Sequence, residues 1–113
     1  MIAKEHFKGS IHSIILYLLK DNDELYGYEI CQLVDQKTAS KIQFTEGAIY
    51  PSLHKLQQKG FIASRKTEVN GRTRKYYHIT AKGLKECERQ LESLSNLYSA
   101  LGAIFGSAML RIR

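Results

Sequence analysis

Apolar and polar positions change period along this chain, and each change marks a new element. Ile11, Ile14, Ile15, Leu18 and Leu19 recur at spacings of three and four. That stripe predicts an amphipathic helix, with Ser10 placed to cap it. The acidic run Asp21-Asn22-Asp23-Glu24 ends it. A second stripe, Ile30, Leu33 and Val34, predicts a helix over about 26–37, followed by a loop at 39–43. Thr45 can cap a third helix, and Glu46 suits its positive N-terminal end. Ile49, Leu53 and Leu56 form that helix's inner face, and Gly60 ends it. The period then drops to two. Residues 61–69 and 72–79 read as strands joined by Asn70-Gly71, a strong hairpin signal because a type I′ turn needs positive φ at both positions. Thr80 caps a last helix. Residues 1–8 show no periodicity and read as a mobile arm.

That last helix carries Leu84, Cys87, Leu91, Leu94, Tyr98, Leu101, Phe105 and Ala108 at alternating spacings of three and four. This is a coiled-coil seam. Twenty-five helical residues span about 37 Å, longer than a small domain can cover, so the stripe predicts a symmetric dimer. Leu84, Leu91, Leu94, Tyr98, Leu101 and Phe105 are its dimerisation residues. The fold class that follows is mainly α with a small β-hairpin: a winged helix-turn-helix over residues 1–80 and a long C-terminal dimerisation helix over 81–113.

Charge sharpens this picture. The net charge is +6 over 113 residues. Between Thr45 and Tyr77 seven basic residues (Lys55, Lys59, Arg65, Lys66, Arg72, Arg74, Lys75) face two acidic ones (Glu46, Glu68), an excess of five. Charge concentrated on one helix and one hairpin marks a polyanion site. A helix followed by a basic hairpin is how a winged helix presents itself to double-stranded DNA.

At 100° per residue, the outer face of the third helix carries Gly47, Ala48, Pro51, His54, Lys55 and Gln58. Its nearly bare start admits close approach of a backbone or base edge. His54 and Lys55 can reach groove edges, Lys55 donating to guanine, with Thr45 and Ser52 as secondary candidates. Pro51 removes one N–H and crowds the carbonyl of Gly47, so a kink or loosened first turn is expected. Lys66, Arg72, Arg74 and Lys75 are candidate phosphate clamps. The hydroxyls of Tyr26, Tyr50 and Tyr76 can donate to phosphates at the rim. Tyr28 is open to that role, although it and Tyr77 read foremost as core residues.

Other chemistries find little support. His6, His12, His54 and His78 are scattered, and no phosphate loop, metal set or nucleophile with a base is present, which argues against an enzyme and against a metal or cofactor. Cys31 and Cys87 lack CxxC spacing and read as buried free thiols in a reducing compartment. The apolar run over 97–110 is shorter than the ~20 residues that span a bilayer, so the expected location is cytoplasmic without membrane contact. Two rival readings remain: a winged-helix adaptor for protein partners, which would not need a basic wing, and an apolar C-terminal end, capped by Arg111 and Arg113, that contacts a membrane or another protein.

KGSIHSIILYLLKDNDELYGYEI, TEGAIYPSLHKLQQKGFI and NGRTRKYYHITAKG occur in this order. Together they resemble the PadR family of bacterial transcriptional regulators over about residues 8–90. The resemblance implies a winged-helix dimer that represses transcription at a palindromic operator, and adds weight to Tyr50 in its Tyr-Pro pair. The single C-terminal helix is similar to the family's smaller subfamily, in which that helix dimerises. Some members release DNA on binding a small aromatic effector, the multidrug-binding ones through a C-terminal tryptophan. This chain has no tryptophan, and only Tyr98 and Phe105 stand on the seam to stack on such a molecule.

Overall fold

The computed structural model describes residues 1–111; Arg113 lies outside them. Among the described residues five α-helices are present: α1 (Lys4–Phe7), α2 (Ile11–Asp21), α3 (Gly27–Lys37), α4 (Glu46–Gln58) and α5 (Ala81–Phe105), the last followed by a 3-10 turn over Gly106–Arg111. Three strands, β1 (Leu25–Tyr26), β2 (Ile62–Val69) and β3 (Arg72–Ile79), form an antiparallel sheet in the order β1-β3-β2. This is a winged helix carrying a long C-terminal helix.

The helices form where their stripes close on one another. Ile15, Leu16 and Leu19 of α2, Ile30 of α3, and Ile49, Leu53 and Leu56 of α4 have almost no exposed surface. Leu16 widens the α2 stripe beyond the five positions its spacing suggests. Ile62 and Tyr77 close the core from the sheet and Cys87 from α5. Thr45 caps α4 by accepting the Ala48 N–H at 3.2 Å, and Thr80 caps α5 by accepting the Gly83 N–H at 3.0 Å. Ser10 stands at the start of α2 but makes no side-chain cap, because a 3-10 turn over Lys8–Ser10 already leads the chain into the helix. Pro51 lies inside α4 without dividing it: the helix runs unbroken from Glu46 to Gln58.

Two expectations are corrected. Residues 1–8 are not a loose arm: Phe7 is buried against Phe44 with ring centroids 6.0 Å apart, and the Ile2 N–H donates to the Lys41 carbonyl at 2.6 Å. The hairpin is not alone either. Leu25 and Tyr26 pair with Tyr77 and Tyr76 as a third strand, too short for any period to reveal.

The hairpin turn is as its residues dictate, with Asn70 at φ 53° and Gly71 at φ 76°. The end of α4 is a Schellman motif. Gly60, at φ 79°, donates its N–H to the Gln57 carbonyl, and the Phe61 N–H reaches the Leu56 carbonyl, both at 3.0 Å.

From Gly83 onward α5 leaves the core by degrees. Gly83 and Cys87 are buried, Leu94 and Leu101 half-buried, and Leu84, Leu91, Tyr98 and Phe105 exposed. Cys87 therefore belongs to the chain's own core rather than to an open seam. Its thiol is pushed up by burial, as is that of Cys31, which is only half-buried. The Ser13 hydroxyl of α2 donates to Gln90 of α5, whose amide donates to Glu86 at 2.8 Å. Arg89 adds two bonds to the same carboxylate, at 2.7 and 2.6 Å.

Two predictions follow from this packing. A methyl group at Gly83 would stand 2.0 Å from the Phe61 carbonyl oxygen, which is backbone and cannot yield. Gly83→Ala should cost about 3 kcal/mol or more, read as a lowered midpoint in urea. Glu86, hydrogen-bonded by Arg89 first and Gln90 second, has its pKa lowered from 4.5 to about 2. A depressed folded-state pKa stabilises above the unfolded value and is lost as pH falls through the folded one. The thermal-midpoint gap between wild type and Glu86→Gln should therefore hold above pH 4.5 and close towards pH 2.

Candidate nucleic-acid interface

α4 turns Ile49, Leu53 and Leu56 into the core, which leaves Gly47, Pro51, His54, Lys55 and Gln58 exposed on the opposite side. Thr45 is exposed, but its hydroxyl oxygen already serves as the helix cap. Ala48 is half-buried and lines a hollow against Lys4 and Phe7 of α1, so the docked N-terminal segment flanks the start of this face. Ser52 turns its hydroxyl back to the Ala48 carbonyl at 3.4 Å. His54 and Lys55 are left as the free polar groups midway along the exposed face.

The wing's register sorts its basic residues. Lys66 pairs directly with Lys75 across the strands, on the sheet face that carries Tyr77 and Ile79 towards the core. Two like charges opposite one another are unfavourable in isolation and are relieved by an anion. Arg72 and Arg74 lie on the other face. Because β1 is two residues long, the edge of β3 from Arg72 to Lys75 stays open beyond it. Those residues line a cleft of about 480 Å³ together with Tyr26, Tyr28, Tyr50 and Glu46. The cleft thus joins the wing to the first turns of α3 and α4.

The tyrosines are arranged by this junction. The Tyr50 ring lies on Gly27 so closely that a side chain at Gly27 would come within 3.0 Å of its hydroxyl oxygen. Partial burial, then Glu46 and Cys31, raise the Tyr50 pKa. Tyr26 half-buries between Tyr76, edge-on at 5.5 Å, and Tyr28 at 6.3 Å. Tyr28 is exposed, contrary to its reading as a core residue: it stands at the start of α3, with its ring on Tyr26 rather than under the sheet. Tyr77 is buried as expected.

Some contributors have no signature in the chain. Gln57 of α4 accepts the Ser64 hydroxyl at 3.1 Å and ties α4 to β2. Arg65 is basic but committed, its guanidinium paired with Glu24. His12 of α2 feels Lys59 and Lys55 of α4; burial first, then both lysines, lower its pKa, so it adds no charge to this face at neutral pH.

A family model described as transcriptional regulator PadR-like matches residues 15–89. The chain belongs to the PadR-like family. A relative in Mycobacterium tuberculosis, the transcriptional regulator Rv3488, is 30% identical over 95 residues, 81% of this chain and 85% of its own. An uncharacterised protein of Lysinibacillus sphaericus is 36% identical over 84 residues, 74% of this chain and 76% of its own. Among solved structures, a transcriptional regulator from Clostridium thermocellum superposes with a TM-score of 0.82 at 28% identity, covering 88% of this chain and 96% of that one. A PadR-like regulator from Bacillus cereus gives 0.74 at 30% identity, covering 90% and 97%. The PadR-like chain is accordingly a DNA-binding transcriptional regulator and not an enzyme.

A second feature of this PadR-like fold lies away from the basic face. Ile14, Tyr17 and Leu18 of α2 and Leu94, Tyr98 and Leu101 of α5 border an apolar groove of about 520 Å³. Leu97, Ile104 and Phe105 continue as exposed apolar surface along α5. Among the described residues no helix is long and apolar enough to cross a membrane, and no group of side chains is arranged to hold a metal ion.

Proposed function

We propose that this regulator is a cytoplasmic homodimeric repressor that binds a palindromic operator. In this reading residues 1–80 act as the DNA-binding unit and α5, within the C-terminal segment 81–113, as the dimerisation helix. The observation that carries the reading is the concentration of positive charge on one exposed helix face and the adjoining wing, in a chain belonging to a family of transcriptional regulators.

The exposed face of α4 enters the major groove. Its bare start, Gly47 to Pro51, permits close approach, and His54 and Lys55 read base edges. Arg72, Arg74, Lys66 and Lys75 neutralise backbone phosphates, and the hydroxyls of Tyr26, Tyr50 and Tyr76 fix the register at the rim. Four phosphates per subunit give a dimer about eight, and a slope of log affinity against log salt near −7. The groove beside α5, with Leu84, Leu91, Leu94, Tyr98, Leu101 and Phe105, is where a second copy packs. A small aromatic effector entering there, against Tyr98 and Phe105, would release the operator by changing the angle between the two reading helices.

Mobility shift of the chain's own upstream DNA across a salt series, with random duplex as competitor, tests the function. Specific, salt-sensitive binding to a two-fold symmetric site is expected; competitor-erased binding alone would favour the adaptor reading. Arg72→Ala with Arg74→Ala should weaken binding to all sequences at least about tenfold and move the slope from about −7 towards about −4. An unchanged slope removes the wing from the interface. Leu94→Asp should yield monomers by light scattering and lower operator affinity by on the order of 100-fold, because the half-sites then bind independently. A variant that stays dimeric places the interface elsewhere.

A further inference from the structure

One acidic residue borders the wing's outer face, and its contacts assign it a part in DNA binding opposite to the one its charge suggests. Glu24 immediately precedes β1. Its carboxylate accepts two hydrogen bonds from Arg65 of β2, one from Nε at 2.9 Å and one from the Nη2 nitrogen. β3 lies between β1 and β2, so the Arg65 side chain crosses β3 to make this pair. In crossing, its guanidinium passes over the Tyr76 ring, 5.1 Å from the centroid. Tyr76 is the register partner of both Arg65 and Tyr26, so the three occupy one row of the outer face. The Tyr76 ring stands edge-on to Tyr26, and the guanidinium of Arg74 lies 4.2 Å above the Tyr26 ring. The row is therefore continuous from Glu24 through Arg65, Tyr76 and Tyr26 to Arg74.

We propose that Glu24 is a positioning residue of the DNA-binding surface: by drawing Arg65 across β3 it holds the Tyr76–Tyr26 pair that seats the Arg74 guanidinium at the cleft between wing and reading helix. Arg74 is on a flexible stem, and an ordered guanidinium loses less freedom when it meets a phosphate. Glu24 also keeps Arg65 out of the phosphate contacts. The inference rests on the reading of Arg74 as a backbone contact. A bare charge argument gives the reverse sign, since removing an acid near a polyanion site, and freeing an arginine with it, tightens binding.

The test uses the full chain and a random-sequence duplex, because backbone contacts are independent of sequence. Affinity is measured by fluorescence anisotropy across a salt series for wild type, Glu24→Gln, Arg65→Gln, Arg74→Ala, and Glu24→Gln combined with Arg74→Ala, each first shown to keep its thermal unfolding transition. Glu24→Gln and Arg65→Gln are each expected to weaken binding about fivefold, the scale of an exposed ion pair. They should flatten the salt slope by about one per subunit. In the Arg74→Ala background Glu24→Gln should change nothing further, an outcome that general loss of stability would not produce. Tighter binding with a steeper slope in Glu24→Gln would make Arg65 a latent phosphate contact and overturn the proposal, as would an unchanged affinity. An Arg74→Ala chain that binds as wild type does would instead overturn the wing reading beneath it.

Discussion

The structure turns on one backbone carbonyl, that of Phe61. The reading helix ends just before it, the wing starts just after it, and α5 begins against it. The Phe61 N–H closes the Schellman motif of α4, while its carbonyl accepts the Thr80 N–H at 3.1 Å as the chain returns from β3. Gly83, in the first turn of α5, lies directly on that carbonyl. Two more bonds lock the same spot. The Thr80 hydroxyl donates to the Gly60 carbonyl at 2.7 Å, and the Lys82 ammonium to the Lys59 carbonyl at 2.8 Å. The Schellman turn satisfies the carbonyls of Leu56 and Gln57, and the start of α5 satisfies the next two, those of Lys59 and Gly60. Reading helix, wing and α5 are one unit at this point. Such a junction is the mechanical requirement for a signal felt along α5 to alter DNA contact.

Charge geometry, rather than charge number, distinguishes the wing. Seven basic residues fall between Thr45 and Tyr77, but their roles differ. Arg65 is held by a carboxylate. Lys66 and Lys75 face each other and gain from an anion between or beside them. Arg74 is seated on the Tyr26 ring. The wing is therefore partly organised before it meets a ligand, and less conformational freedom remains to be lost on binding.

The fold was legible because its signals are local and repeated. Four helical stripes, two threonine caps, an Asn-Gly turn and a terminal glycine mark the elements without help from distant residues. What escaped were contacts whose two halves lie far apart in sequence. β1 is two residues long and exists only because Tyr76 and Tyr77 arrive to pair with it. The first residues lack a period, yet Phe7 finds Phe44 and docks the arm beside the reading helix. Tyr28 was read inward from its apolar ring, but Gly27 brings Tyr50 close to the chain and leaves Tyr28 outside. The same distinction applies to the proposed interface: its basic residues stand in the sequence, whereas the pairing of Glu24 with Arg65, 41 residues away, does not.

α5 shows how one regular pattern can divide between two tasks. Its apolar spacing runs from Leu84 to Phe105, where Gly106 at φ 55° ends the helix and leaves Ala108 in a 3-10 turn outside the expected seam, yet Cys87 is buried in the chain's own core while Tyr98 and Phe105 lie bare. Periodicity reports that a face is apolar, not what covers it. The division falls where the body of the chain ends: Ser13 of α2 binds Gln90, and beyond that bond α2 offers the far part of α5 only one wall of a groove. A helix that starts as core and finishes as open apolar surface leaves its outer half without cover from its own chain. The long axis of 54 Å, against 28 and 21 Å across, is the shape of a chain with that surface left over. In the homodimer proposed above, a second α5 laid against the first supplies the same spacing of apolar side chains in return, so that a single sequence pattern serves both the inner and the outer half of the helix.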